Sequence, residues 1–487
     1  QDDQSASVGT SEGGDQKDDS KQNTNPTTSG NGDAQSDGKE NGQDTNGNDQ
    51  SGDNGDQNGS DEKDEEKYAA KITDKENGDK KYETLQAALD DAKSGDTIVL
   101  LKDVTENIKV GVKGQVTLDL NKHSIDGGNT DRCVQPAHNQ ELWPDKFTIK
   151  NGVLKNGKPK DSTSIGGAIL WYGVLTVENC RFENNQNCAI QVSKEGNVVI
   201  SDSTFKENKA ISGAAIQITG NATCTISGSE FLNNIASNMG GAVYADHGML
   251  NVADCTFKEN SAAYGGAICT NETRVTIGAN TKFLNNGTAT MGGAIHVQNS
   301  VAKPDAASLT LNGPITMSGN SAAYGGAISA VGSNVALNDS TVTNNTATTG
   351  YGGGIYADKS IFNIAEKNAV YNNTAGSAGD DIFLNSTVYT IPAVATMSGD
   401  KKLASDGEDI TSWYYDGWYK YDGTTYVKLD QRWGSALPDG SKYYDEYVPS
   451  EDNYSMAIKA AHAQMFTVPY TDGVDNEEVF KDQVYKV

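Results

Sequence analysis

Phe257-Lys258-Glu259-Asn260-Ser261-Ala262-Ala263-Tyr264-Gly265-Gly266-Ala267-Ile268 decides the fold, because its two halves recur in phase along the chain. The second half returns as Gly166-Gly167-Ala168-Ile169, Gly240-Gly241-Ala242-Val243, Gly292-Gly293-Ala294-Ile295 and Gly325-Gly326-Ala327-Ile328. Weaker copies are Gly213-Ala214-Ala215-Ile216, Gly352-Gly353-Gly354-Ile355 and Asn187-Cys188-Ala189-Ile190. Successive copies lie 21 to 33 residues apart, most often 25 to 27. A fixed period of this size is the mark of a solenoid. It suits one coil of a three-sided parallel β-helix.

The first half keeps the same phase. Phe182, Phe205, Phe231, Phe257, Phe283, Met317, Val342 and Val370 each have an asparagine three residues on, from Asn185 to Asn373. The large apolar residue points inward and stacks on its equivalent in the next coil. The asparagine turns the corner in the left-handed region and forms a ladder with its neighbours. Upstream lies a third column, with pairs such as Leu175/Val177, Leu250/Val252 and Val335/Leu337 alternating with polar residues. That period of two marks a strand with one buried face. A coil thus buries four or five apolar side chains, at about 1.5–3 kcal/mol each, once the next coil covers them. One coil alone cannot fold. The glycines read as sites of positive φ or close backbone approach, and no strand–loop–helix context makes them a phosphate cradle.

The expected fold is therefore all-β: a right-handed, single-stranded parallel β-helix (a pectate lyase-like solenoid) over residues 111–385. Residues 1–67 contain only Ala6, Val8 and Ala34 as hydrophobes and carry 18 acidic and 5 basic side chains, a net of −13 out of the formal −27. Such a segment cannot offset its ordering entropy, and a disordered acidic tail is expected. Residues 68–110 are expected to cap the first coil. Leu85, Ala88, Leu89 and Ala92 fall at helical spacing there, and Thr97–Leu101 reads as a first strand. Residues 386–487 are aromatic-rich, with Trp413, Tyr414, Tyr415, Trp418, Tyr419, Tyr421, Tyr426 and Trp433. They are expected to form a small β-rich cap that covers the open edge. The rival expectation there is an aromatic carbohydrate platform.

The acidic balance excludes nucleic acid and anionic membrane as partners. No apolar stretch is long enough to span a bilayer. A chain that begins at Gln1 and opens on a self-repelling spacer is expected to be secreted or displayed at a cell surface. Cys180 and Cys255 hold one repeat position three coils apart, about 14 Å, which is too far for a disulfide. Mostly free, buried thiols are expected, with Cys133, Cys188 and Cys224 left open.

The GGAI and FxxN motifs, in register over about residues 165–375, resemble the polymorphic outer-membrane-protein type of β-helix. The stretches Ser94–Leu101 and Val116–Gly128, with the closing Ala378–Phe383, are similar to β-helical surface proteins of Gram-positive gut bacteria. The resemblance implies an adhesin or host-binding role. Unlike the outer-membrane family, residues after 385 show no run of alternating amphipathic strands, which points to a Gram-positive exported protein.

The rival function is a polysaccharide lyase or glycoside hydrolase, since these share the fold. That chemistry needs a Ca²⁺-binding carboxylate cluster with a basic residue, or paired carboxylates. Gly379-Asp380-Asp381 is the one superficial match, without the histidine and arginine motifs that would accompany it. The five histidines show no metal-ligand spacing. No catalytic residue, metal or cofactor is expected. For binding, the residue after each inward Ile is expected to face out on a flat, rigid strand face. Leu170, Gln191, Gln217, Tyr244, His296 and Tyr356, with Cys269 and Ser329, make this column, and Tyr172 and His247 lie beside it. Trp171 and Val192 are expected inside. The expected partner is a host protein such as immunoglobulin, or a mucosal glycan, met by a monomer.

Overall fold

The computed structural model describes residues 67–73, 78–161, 164–299, 307–390, 401–410, 412–421, 426–428, 454–461 and 485–486. They fall in one compact unit, Asn58–Val487. The acidic tail and residues 300–306, within the longest spacing between successive copies of the GGAI element, lie outside them. The architecture is a right-handed parallel β-solenoid of about ten turns. One coil runs Val243–Asp246, Met249–Ala253, Thr256–Lys258 and Ser261–Tyr264. Each strand pairs in parallel with its equivalent one repeat on: Val243 with Ile268, Leu250 with Val275, Phe257 with Phe283, Ser261 with Gly287.

There are thus four stacks of strands, where the sequence pattern suggests three. The fourth, between the asparagine and the glycine pair, forms its own seven-stranded sheet. Ser261–Tyr264 is half-buried throughout, and elsewhere in the stack Ile211 and Ile235 are exposed. With no column of large apolar residues facing inward here, the hydrophobic pattern cannot reveal it.

The core consists of the expected columns. Phe182, Phe205, Phe231, Phe257 and Phe283 stack with ring centroids 4.5–4.9 Å apart and planes within 8° of parallel. Beside them runs the asparagine ladder, fully buried from Asn185 to Asn345. The backbone N–H and side-chain Nδ2 of Asn234 both donate to Asn260 Oδ1, at 3.0 and 2.9 Å. Nδ2 also donates to the carbonyl of Phe205, at 2.9 Å. Each amide therefore ties three successive coils together. The corner itself differs from the expectation. The left-handed residue is the one before the ladder asparagine, Glu207, Asn233, Glu259 or Asn285, at φ 53–57°. Placing the strain one residue earlier turns the amide inward, where it can stack.

The two glycines of each GGAI answer different demands. Gly265 has φ +62°, and a Cβ there would stand 2.2 Å from the Ile268 carbonyl oxygen. A Cβ on Gly266 would stand 2.2 Å from the Gly293 oxygen of the next coil. The first turns the chain within a coil; the second lets coils touch.

Both solenoid edges are covered. At the start, Ala70–Ile72 runs antiparallel to Thr97–Leu100. The helix α1, Leu85–Asp91, buries Leu85, Ala88 and Leu89, and the Thr84 side chain caps it. Glu106 accepts from the N–H groups of Leu85 and Gln86, which have no partner within the helix. At the far end, Tyr454–Ala461 pairs antiparallel with Ile382–Asn385, and Ser412–Tyr421 pairs with it in turn. Trp413 is buried there and donates to the Val370 carbonyl at 2.9 Å. Trp413 and Tyr419 are the two aromatics of this segment whose side chains are described. Both pack into the solenoid end, so neither forms an open carbohydrate platform.

Asn260→Ala should lower the urea midpoint strongly, by about 1–3 kcal/mol for each buried group left without a partner. Gly266→Ala should be at least as damaging, because backbone fills the space its Cβ needs. Lys258→Ala, at a half-buried position that points out of the core, should stay within about 0.5 kcal/mol of the parent in the same titration.

Candidate functional site: a groove at the N-terminal coils

The column after the inward Ile points away from the core, in register from Leu170 to Tyr356. Trp171 and Val192 are inside, as expected, with Trp171 stacked on Phe147 at 4.7 Å. Yet the column is not the open face that the strand alternation implies. Gln191 is 5% exposed, Gln217 8%, His296 1% and Tyr356 6%; Cys269 and Ser329 are buried completely. The turn at the glycine pair carries the preceding residue back over the column. The Tyr264 ring lies 5.7 Å from His296, and Tyr324 5.6 Å from Tyr356. Toward the C-terminal end Tyr351, Tyr356, Phe383 and Tyr419 close into a second small core. Burial pushes the His296 imidazole down to about 4, so at neutral pH it is uncharged, 3.3 Å from Gln298 Oε1. Gln191, Gln217, His296 and Tyr356 therefore do not form a flat binding face. Tyr244 is half-buried, and burial, with Asp246 and Cys269 nearby, raises its hydroxyl to about 12.

Leu170, Tyr172 and His247 stay accessible, in two separate grooves. His247 lines one with Asn221, Thr223, Gly248, Met249, Glu272 and Arg274. Leu170 and Tyr172 line the other, a cleft of about 300 Å³ with Lys109, Gln135, Pro136, Ala137, His138, Gln140 and Trp143. Here the chain has Asp131-Arg132 in register with the next coil's Gly166-Gly167. It leaves the strand Val134–Pro136 as an open loop with one 3₁₀ turn, Gln140–Leu142, capped by Asn139. Lys109, Gln135 and Leu170, neighbours in register, form the floor. Trp143 and Tyr172 form a wall, stacked at 4.9 Å with planes 14° apart. Trp143 is fixed by its Nε1–H, which donates to the Ala137 carbonyl at 2.6 Å. The half-buried Arg132, its pKa lowered chiefly by burial, donates to Gln135 Oε1 at 3.4 Å and to the Ile165 carbonyl. A fixed aromatic wall over amide and ammonium donors can pack the apolar face of a ring and bond polar groups at its edge. The repeat pattern passes over Trp143, Gln135 and Lys109. For Trp143 the signal is that residues 137–143 fit no column; Lys109 and Gln135 sit in a regular ladder and carry none.

A family model for the right-handed β helix region matches residues 140–257. A second, for the Chlamydia polymorphic membrane protein repeat, matches residues 254–271, 314–331 and 339–358. Those three stretches are similar to that repeat. No curated protein sequence matches the chain. Among solved structures, a mannuronic acid specific polysaccharide family 6 lyase from human gut microbiota resembles it over 57% of this chain and 77% of that one, at 11% identity and a TM-score of 0.27. No helix among the described residues is long and apolar enough to cross a membrane.

In this solenoid the Gly379-Asp380-Asp381 sequence has a structural position. Each ladder asparagine needs an acceptor in the next coil, and Asp381 supplies the last one. Its Oδ1 accepts from Asn373 N and Nδ2, at 3.1 and 2.8 Å, and its Oδ2 from Ala460 N at 2.7 Å. Asp380 accepts from Ala375 N. Burial raises the Asp381 carboxyl to about 7, against the lowering effect of these donors. The six cysteines are all buried and unpaired. Burial raises every thiol, Cys133, Cys180 and Cys224 to about 12 and Cys255 to about 11. No group of three or more His, Cys, Asp or Glu side chains among the described residues is placed to hold a metal.

Because the folded Asp381 keeps its proton to about pH 7 while the unfolded one loses it near 3.8, its contribution to stability is complete below about pH 4 and declines toward pH 7. Asp381→Asn removes that dependence and sets an amide NH₂ against the Ala460 N–H. Thermal melts should therefore show the variant falling further below the parent at pH 4 than at pH 7.5.

Proposed function

We propose that the protein is a secreted or surface-displayed bacterial adhesin that binds host glycans, free or on glycoproteins such as mucin or immunoglobulin, without transforming them. The observation that carries this reading is the Trp143–Tyr172 pair standing over Lys109, Gln135 and Gln140. A sugar offers an apolar C–H face to such a wall and hydroxyls to such a floor. The groove rests on the solenoid, so little has to be ordered on binding. The polymorphic-membrane-protein-type repeat supports display at a bacterial surface, and the similarity of the capping stretches to Gram-positive gut proteins supports that kind of host. Asp380 and Asp381, the acids with a sequence pattern suggestive of catalysis, are committed to the solenoid end. No carboxylate among the described residues lines the groove.

Immobilised mucin and immunoglobulin should retain the protein, with retention lost after enzymatic removal of the glycans. Trp143→Ala should weaken the interaction roughly tenfold or more, the effect of removing a central aromatic contact. Circular dichroism should show the β-helix intact. If the parent binds neither target, the reading fails. Release of unsaturated or reducing ends from polygalacturonate, lost in Lys109→Ala, would instead make the groove catalytic.

A further inference from the structure

The second groove, about 340 Å³, is built at a corner of the solenoid from two columns over three coils. Asn221, His247 and Glu272 follow one another at left-handed corners, φ 61°, 54° and 44°. Thr223, Met249 and Arg274 are in register beside them. The His247 ring is fixed between two carboxylates, Nδ1 2.8 Å from Asp246 Oδ1 and Nε2 3.0 Å from Glu272 Oε2. Asn271 Nδ2 donates to the same Asp246 oxygen. These contacts engage both acids. The exposed Arg274 makes no ion pair among the described residues and stands beside Met249, 40% exposed.

The two grooves share one line along the solenoid. Tyr172 of the first pairs with Ser193, whose hydroxyl is 3.1 Å from that of Thr219. Thr219 pairs with Asp246, next to His247. That is three coils, about 14 Å at the spacing of paired strands. Half-buried Ser193 and Thr219, held from beneath by the buried Gln191 amide, give a polar strip between. Lys109, the exposed ammonium of the first groove, also makes no ion pair among the described residues. The chain is strongly acidic overall, at −27. At physiological salt charges more than about 8 Å away are screened, so what a ligand meets in the second groove is the Arg274 guanidinium together with Asp246 and Glu272, both held on His247.

We infer that the Arg274–His247 groove is a second subsite for the same ligand, and that this ligand is a linear, carboxylate-bearing polysaccharide lying parallel to the solenoid axis. The inference rests on the glycan reading of the first groove and gives it a chemical class. The Trp143–Tyr172 wall holds one sugar, with Lys109 beside it. Arg274 takes a carboxylate further along, in the paired geometry guanidinium favours. Occupying both subsites multiplies affinity without any new contact in either.

Hyaluronan and oligogalacturonate fragments of graded length, titrated calorimetrically into the full chain, test this. Fragments long enough to span both grooves should bind roughly tenfold or more tighter than shorter ones. The gain should shrink with added salt and be absent with dextran. Arg274→Ala should bring long fragments down to the affinity of short ones, while Trp143→Ala weakens both. Lys282→Ala, an exposed cation away from the line, should change neither. If short and long fragments bind alike, or if Arg274→Ala leaves long fragments unaffected, the second subsite is overturned and the glycan reading stands. Equal binding of dextran overturns the acidic class. If neither acidic nor neutral fragments bind and mucin is not retained either, both readings fall.

Discussion

The structure depends on one constraint: no coil can satisfy its own polar or apolar groups. In a parallel stack every strand N–H and C=O finds its partner in a neighbouring coil, and so does every core side chain. The asparagine ladder is the sharpest form of this. Asn234 donates forward to Asn260 and back to the Phe205 carbonyl, so each amide is satisfied only when three coils are present. A buried amide without these partners would cost more than its bonds contribute. The ladder therefore fixes register as firmly as the phenylalanine stack beside it, and it excludes slippage between coils.

The remaining features follow from that periodicity. Coils spaced at the distance of paired strands leave no room for a Cβ at Gly266, and the reversal at Gly265 requires a left-handed residue. A directional ladder must end somewhere, and its last acceptor needs no donor of its own. Asp381 fits that place better than another asparagine, because its second oxygen can also accept from the capping strand. The acid pair that looks catalytic in sequence is thus a consequence of termination. The burial that raises its carboxyl follows from the same closure.

Accessible chemistry occurs where the repeat is interrupted or turns. The glycine turn lays Tyr264 and Tyr324 over the outward column, hiding side chains that alternation alone would leave in solvent. Where an irregular loop follows the strand, between Pro136 and Trp143, a groove opens beside Leu170. Where the strand bends at His247, corner residues from three coils meet. A regular solenoid with two such openings on one line offers spaced contacts on a scaffold that does not have to reorganise.

The sequence by itself determined the columns: which residues face inward, which asparagines stack, where the glycines fall, and hence the solenoid. It could do so because each of these follows from a local period that repeats in the chain. It also placed Trp171 and Val192 inside and kept Cys180 and Cys255 apart. The fourth strand stack stayed hidden, since it presents no column of large apolar residues to the core. The left-handed corner was one residue off, because the pattern records which side chain is buried and not which backbone is strained. Only the tertiary structure decided what covers the outward column and what does not. That depends on the direction in which a glycine turn sends the neighbouring coil, a relation between residues about thirty positions apart that no local pattern encodes. For the same reason Lys109, Gln135, Trp143 and Tyr172, drawn from three successive coils and an irregular loop, become a site only once the chain has wound.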